Sequence, residues 1–224
     1  MKKYLAAAAL LASVSTPAFA QMMDSQTFRM MASQSDAFEI ASSRLALERS
    51  RNPRVLAYAQ NMIQDHGMTS QALNGGRAVY SQSGEFVGGA VGSTLAGAGI
   101  GALVGGPVGA AVGAGVGATA GAAASRAGEV QATGSVTPIR LGVPLDAEKS
   151  AMLNQLASTS GPQFDRLYGQ AQRMAHQEAL ALYTSYSQNG TDPALRQFAT
   201  SVIPHLEHHY SDAQRLPGGA MRRR

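Results

Sequence analysis

The chain has 224 residues, 45% of them apolar and 14% charged, with a formal net charge of +4 and no cysteine. Without thiols there is no disulfide framework, no thiolate chemistry and no lipid-attachment residue, so lipoprotein anchoring is excluded. Taking away Lys2 and Lys3, which sit in a cleavable leader, leaves about +2 of the +4, and nucleic-acid binding finds little support in so small an excess.

The leader comes first in the chain. Met1-Lys2-Lys3 is a basic start, residues 5–14 are apolar, and Ala18-Phe19-Ala20 is a small-residue cleavage site before Gln21. Residues 1–20 are expected to be a secretory signal peptide that sends the mature chain across the inner membrane into the periplasm. Residues 21–83 read as a first helical hairpin with arms 24–50 and 52–75. Asn52-Pro53 sets the start of the second arm, because it pairs a capping side chain with a proline whose missing N–H costs nothing at the first helical position. Met22, Met23, Met30 and Met31 read as frayed terminus and core filler rather than as soft copper ligands.

Residues 84–125 differ in kind. Gly97, Gly101, Gly105, Gly109, Gly113, Gly117 and Gly121 keep one phase at intervals of four, and no charged residue lies between Glu85 and Arg126. On a helix, residues four apart fall nearly on one line, so these glycines form a groove where a second backbone can approach closely. A random flexible linker would not hold that phase. Gly105, Gly106 and Pro107 break the stretch into two flanks of roughly 20 residues, about the length of a bilayer-spanning helix. The expectation is a glycine-zipper hairpin that contacts membrane lipid and self-associates, with the outer membrane favoured. Its large aliphatics are sparse, which would help such a segment escape arrest in the inner membrane.

A linker over 126–144 follows, able to reach roughly 60 Å when extended, so both up-down and crossover connections stay open. Residues 145–216 read as a second hairpin: a preliminary helix 146–158, a break at Gly161-Pro162, and arms 162–188 and 192–215, the last opened by Asp192-Pro193. Pro53, Val55, Tyr58, Ala59, Met62 and Ile63 match Pro193, Leu195, Phe198, Ala199, Val202 and Ile203 at identical offsets. Two related hairpins make a four-helix bundle. A basic tail, 217–224, closes the chain with Arg222, Arg223 and Arg224, read as solvated or facing lipid headgroups.

The strings AFEIASSRLAL from Ala37, YAQNMIQDH ending at His66, FDRLYGQAQRMAH from Phe164 to His176, and IPHLEHH ending at His209 resemble the bacterial family called domain of unknown function 4142. The resemblance covers both hairpins and leaves the zipper as an insertion. It implies an all-α, ferritin-like four-helix bundle in the periplasm or outer membrane and supplies no reaction. The family motif Pro-x-Leu-x-x-His points to His209 among the three C-terminal histidines.

Register brings the chemistry together. Glu39 stands 13 residues before Asn52 and His66 14 after it, which puts them level in an antiparallel hairpin; His176 and His209 stand 16 before and 17 after Asp192. Glu39, His66, His176 and His209 are therefore candidate ligands for a single transition-metal ion. Asp65 points about 100° away from His66; His205 shares the face of His209, and His208 reads as solvated. Asp165 is about 16 Å along the axis from His176 and suits compensation of its helix N-terminus. A di-iron bundle carries Glu-x-x-His, but Ile63 and Leu206 stand three residues before His66 and His209, so one zinc or copper ion fits better than redox iron. The competing reading is a buried hydrogen-bonded cluster in which Glu39 pairs with an imidazolium.

There is no Gly-x-Ser-x-Gly elbow, phosphate-cradling loop or zincin His-Glu-x-x-His, and the chain does not read as an enzyme. Two functions remain: an envelope interaction or structural protein held at a membrane by its zipper, or a metal-binding stress protein for which the zipper is only a tether.

Overall fold

The computed structural model describes residues 22–87, 129–130 and 139–218. The expected signal peptide, the seven glycines of the expected zipper and the arginines of the C-terminal tail lie outside the described residues. Five helices are found among the described residues: α1 Ser25–Arg49, α2 Pro53–Leu73, α3 Ala147–Ala157, α4 Gly161–Asn189 and α5 Pro193–Ala213. The class is all-α, with one two-residue antiparallel pairing of β1 Glu129–Val130 and β2 Ile139–Arg140.

Capping residues account for four of the five helix starts, α4 alone having no side-chain cap. Asp24 accepts from the Thr27 N–H at 2.9 Å, Asn52 from Arg54 at 3.0 Å, Asp146 from Lys149 at 2.8 Å and Asp192 from Ala194 at 2.8 Å. Each cap satisfies a backbone donor that the helix itself cannot. Pro53 and Pro193 then occupy first-turn positions of α2 and α5. The turn between α1 and α2 is fastened from outside, since Ser50 donates to buried Asp165 of α4 at 2.6 Å and accepts from the Asn52 N–H at 3.0 Å. Asp165 thus ties two hairpins together.

Helix direction follows from the cross-links. Along α1 from Ser25 to Ser50, the partners on α4 run backwards: Tyr186 with Ser25, Gln172 with Ser42, Tyr168 with Ser43 and Asp165 with Ser50. Hence α1 and α4 are antiparallel. Because α2 reverses α1, α2 and α4 run the same way, and the connection between them must return along the length of the bundle. This is the crossover arrangement. Part of the return is visible in residues 74–87 and 141–146. Gly84 lies so close over α1 and α2, at φ +76°, that a β-carbon there would stand 2.9 Å from an Ile40 methyl. The Tyr80 hydroxyl donates to the Leu141 carbonyl, and Gln34 donates to the Pro144 carbonyl at 2.8 Å. α3 then runs antiparallel to α4, with Lys149 paired to Glu178 at 2.7 Å.

Two apolar clusters fill the interior. One joins Phe38, Leu45, Val55, Met62, Phe164 and Tyr168 with Leu153 and Leu156 of α3. The other joins Phe28, Leu73, Tyr183, Tyr186, Leu195 and Phe198. Between them α1, α2, α4 and α5 contribute a buried polar layer. Among the described residues, no helix is long and apolar enough to cross a membrane.

Candidate metal centre

Three helices each bring one histidine into that layer. His66 follows Met62 by one turn on the buried face of α2, His176 stands between Ala175 and Ala179 of the two clusters, and His209 lies one turn after Leu206 of α5. Their exposures are 3%, 0% and 5%. Ring centroids are 5.6 Å apart for His66 and His176, 5.6 Å for His66 and His209, and 5.5 Å for His176 and His209, so the rings occupy the corners of a nearly equilateral triangle. One nitrogen from each ring lies within 4.8 Å of one from each of the others.

The outward nitrogens are all engaged. His66 Nδ1 donates to Asp36 at 2.8 Å, and Ser70 supports the other Asp36 oxygen at 3.0 Å. His176 Nδ1 donates to the Gln172 carbonyl at 2.9 Å, and His209 Nε2 to Asp65 at 2.9 Å. These partners set the tautomers, because in a neutral imidazole the other nitrogen must then carry the lone pair. The remaining atoms, His66 Nε2, His176 Nε2 and His209 Nδ1, are buried and have no hydrogen-bond partner. An imidazole that gives its outer N–H to a carboxylate or backbone carbonyl and keeps its inner nitrogen free is arranged as metal-binding histidines are.

Electrostatics favour the neutral ring, and so the free lone pair, at His176 and His209. Burial, reinforced by the charges of His66 and His209, drives His176 well below the ordinary imidazole range. Burial and His66 lower His209 to about 4, against the opposing pull of Asp65. Burial also pulls on His66, but the hydrogen bond and charge of Asp36, with Glu39 and Asp65 behind them, leave it raised. Asp36 is itself raised by burial. Glu39 is pushed up to about 7, chiefly by burial.

The structure thus brings together His66, His176 and His209 and sets Glu39 apart from their meeting point. The Glu39 carboxylate stands 3.4 Å from Nδ1 of His176, the ring's outer side, where the N–H is already given to Gln172. Both Glu39 oxygens are buried without a hydrogen-bond partner. His208 is exposed and faces Asp212 at 3.6 Å, and His205 is exposed on the rim of α5. Met22, Met30 and Met31 are exposed at the surface rather than filling the core. Sequence reasoning missed Asp36 and Asp65 as outer partners. A usable signal existed for Asp36, which precedes Asn52 by the same 16 residues that separate His176 from Asp192.

A family model described as a domain of unknown function (DUF4142) matches residues 9–77 and 117–216. The interval between them, 78–116, is an insertion that holds Gly97, Gly101, Gly105, Gly109 and Gly113, while Gly117 and Gly121 fall within the second matched segment. No curated protein and no solved structure matches the chain.

Proposed function

The chain belongs to the DUF4142 family, and because that description assigns no reaction we propose a function from its own residues: binding of one divalent transition-metal ion, zinc or copper, by His66, His176 and His209. One observation carries the reading. Three buried imidazoles each keep an unpartnered nitrogen, and the three residues offer ring nitrogens within 4.8 Å of one another.

A purely structural polar cluster would pair those nitrogens with one another or with Glu39. Leaving a buried acceptor unpaired costs about 1–3 kcal/mol, and the cost is repeated three times in one layer. A cation at the centre removes it. The same cation also offsets the cost of keeping Asp36 and Glu39 charged in a buried place. Imidazole suits zinc and copper, whereas a carboxylate-rich set would suit harder ions. In this reading Glu39 balances charge from behind His176 and does not ligate.

The proposal places this binding protein in the cell envelope. Support comes from the signal-like residues 1–20 and from the glycine phase at Gly97 through Gly121, which suits a tether that meets lipid and pairs with copies of itself. The bundle supplies the chemistry and the zipper the location.

Metal analysis of the purified full chain tests the centre. One ion per chain is expected, lost in His66→Ala and retained in His208→Ala. Metal-free protein whose melting temperature ignores added zinc, copper, iron and manganese would end the proposal.

A further inference from the structure

Three histidines leave a tetrahedral ion one position short, which in closed structural sites a fourth side chain fills. No carboxylate of this layer does so among the described residues: Glu39 stands behind His176, and Asp36 and Asp65 are engaged on outer nitrogens. The position must face the side of the bundle that the helices do not close.

That side is the seam between α2 and α5, the most loosely packed neighbouring pair among the four long helices. A cleft of about 340 Å³ opens there, with His66 and His209 in its lining and His176 absent from it. His66 and His209 thus border this open space, their unpartnered nitrogens lying just beneath its surface and closed to solvent. Phe198 and Leu206 give the cleft an apolar wall, and Thr69, Ser201 and the Asp65 carboxylate, which is turned to His209, stand among its polar lining. The volume falls at the small end of ligand sites, which run from about 300 to 1,000 Å³.

Resting on the metal reading above, we propose that the α2/α5 cleft admits a small carboxylate with an apolar body, whose head takes the ion's fourth position and whose body lies against Phe198 and Leu206. A negatively charged oxygen is what a cation held by three neutral imidazoles lacks. The wall selects for the rest of the molecule, because burying apolar surface contributes about 25 cal/mol per Å².

The test uses the full chain loaded with cobalt(II), whose visible spectrum reports coordination, titrated with benzoate and with acetate. A saturable spectral change is expected, with benzoate binding at least tenfold tighter than acetate. Ser201→Trp and Met68→Trp fill the cleft from opposite walls at exposed positions, and each should weaken benzoate at least tenfold while one cobalt per chain is retained. Bound cobalt whose spectrum ignores benzoate, equal affinity for both acids, or unchanged affinity in both tryptophan variants would overturn the proposal. Failure to bind cobalt at all would instead remove the metal reading, and this one with it.

Discussion

The end of the bundle around Phe28, Tyr183 and Tyr186 and the layer around His66, His176 and His209 come from the same helices and are buried alike, yet six of the nine buried side-chain polar atoms without a partner among the described residues lie in the histidine layer, the others being Arg29 Nη1, Ser33 Oγ and Asn74 Oδ1. At the aromatic end, Phe28 stacks on Tyr186 with centroids 4.0 Å apart, and the Tyr186 hydroxyl meets Ser25 at 3.2 Å. In the histidine layer, both oxygens of Glu39, the Gln172 side-chain oxygen and three imidazole nitrogens go unpartnered. Folding free energy is gathered at the ends and spent in the middle. A layer that costs stability and is still built into four helices is there for something other than packing.

Substitutions at the two places should therefore differ in sign as well as size. Phe28→Ala, which empties a fully buried aromatic site, is expected to cost about 3–5 kcal/mol in urea unfolding while leaving ion affinity of the folded protein unchanged. His176→Leu should lower ion affinity at least a hundredfold, about 3 kcal/mol, yet leave metal-free stability equal or higher by about 1 kcal/mol, since an unpaired acceptor goes with the ring. A fall in both quantities for His176→Leu would make the layer an ordinary part of the core. Asp65→Asn should weaken the ion by about 10–100-fold, the usual effect of losing an outer carboxylate, as read by competition with a chelator.

The smallest effect is a slope. In the metal-free protein His209 is lowered from 6.5 to about 4, and burial holds His176 well below the ordinary imidazole range too. Between those values the unfolded chain binds more protons, so these groups make the fold lose stability as pH falls below 6.5. Glu39 acts in the other direction: its value rises from 4.5 to about 7, so the folded state holds the extra proton and gains stability as pH falls through that interval. Glu39→Gln removes the opposing contribution. Its urea midpoint should drop more steeply than that of the unmutated protein between about pH 7 and pH 5, and parallel curves would show that Glu39 does not titrate in the fold.

Much of this was readable from residue spacing. Asn52-Pro53 and Asp192-Pro193 mark the starts of α2 and α5 because capping and proline geometry are local. The level of His66 within the bundle follows from counting residues on either side of a tight turn. Azimuth is another matter. Asp65 turns about 100° from His66, which reads as leaving the site when only α2 is considered, but α5 stands on that side and presents His209 to it. Likewise Glu39 is level with the histidines, but Asp36, one turn earlier, holds the His66 ring. The direction of the second hairpin depends on contacts such as Ser43 with Tyr168, 125 residues apart, and no local pattern encodes them.

The antiparallel pairing of α1 with α4, and of α2 with α5, relates one hairpin to the other by an approximate twofold axis perpendicular to the bundle. Asp36 and His176 are mates under that axis, each 16 residues before its capping residue, whereas His66 and His209 are one turn out of step at 14 and 17 after theirs. A centre lying on a true dyad can only have ligands in pairs. A trigonal set of three imidazoles is open to this architecture only because the two halves have diverged: one half supplies an aspartate where the other supplies a ring, and a helical slip lets the remaining two rings converge on the same point.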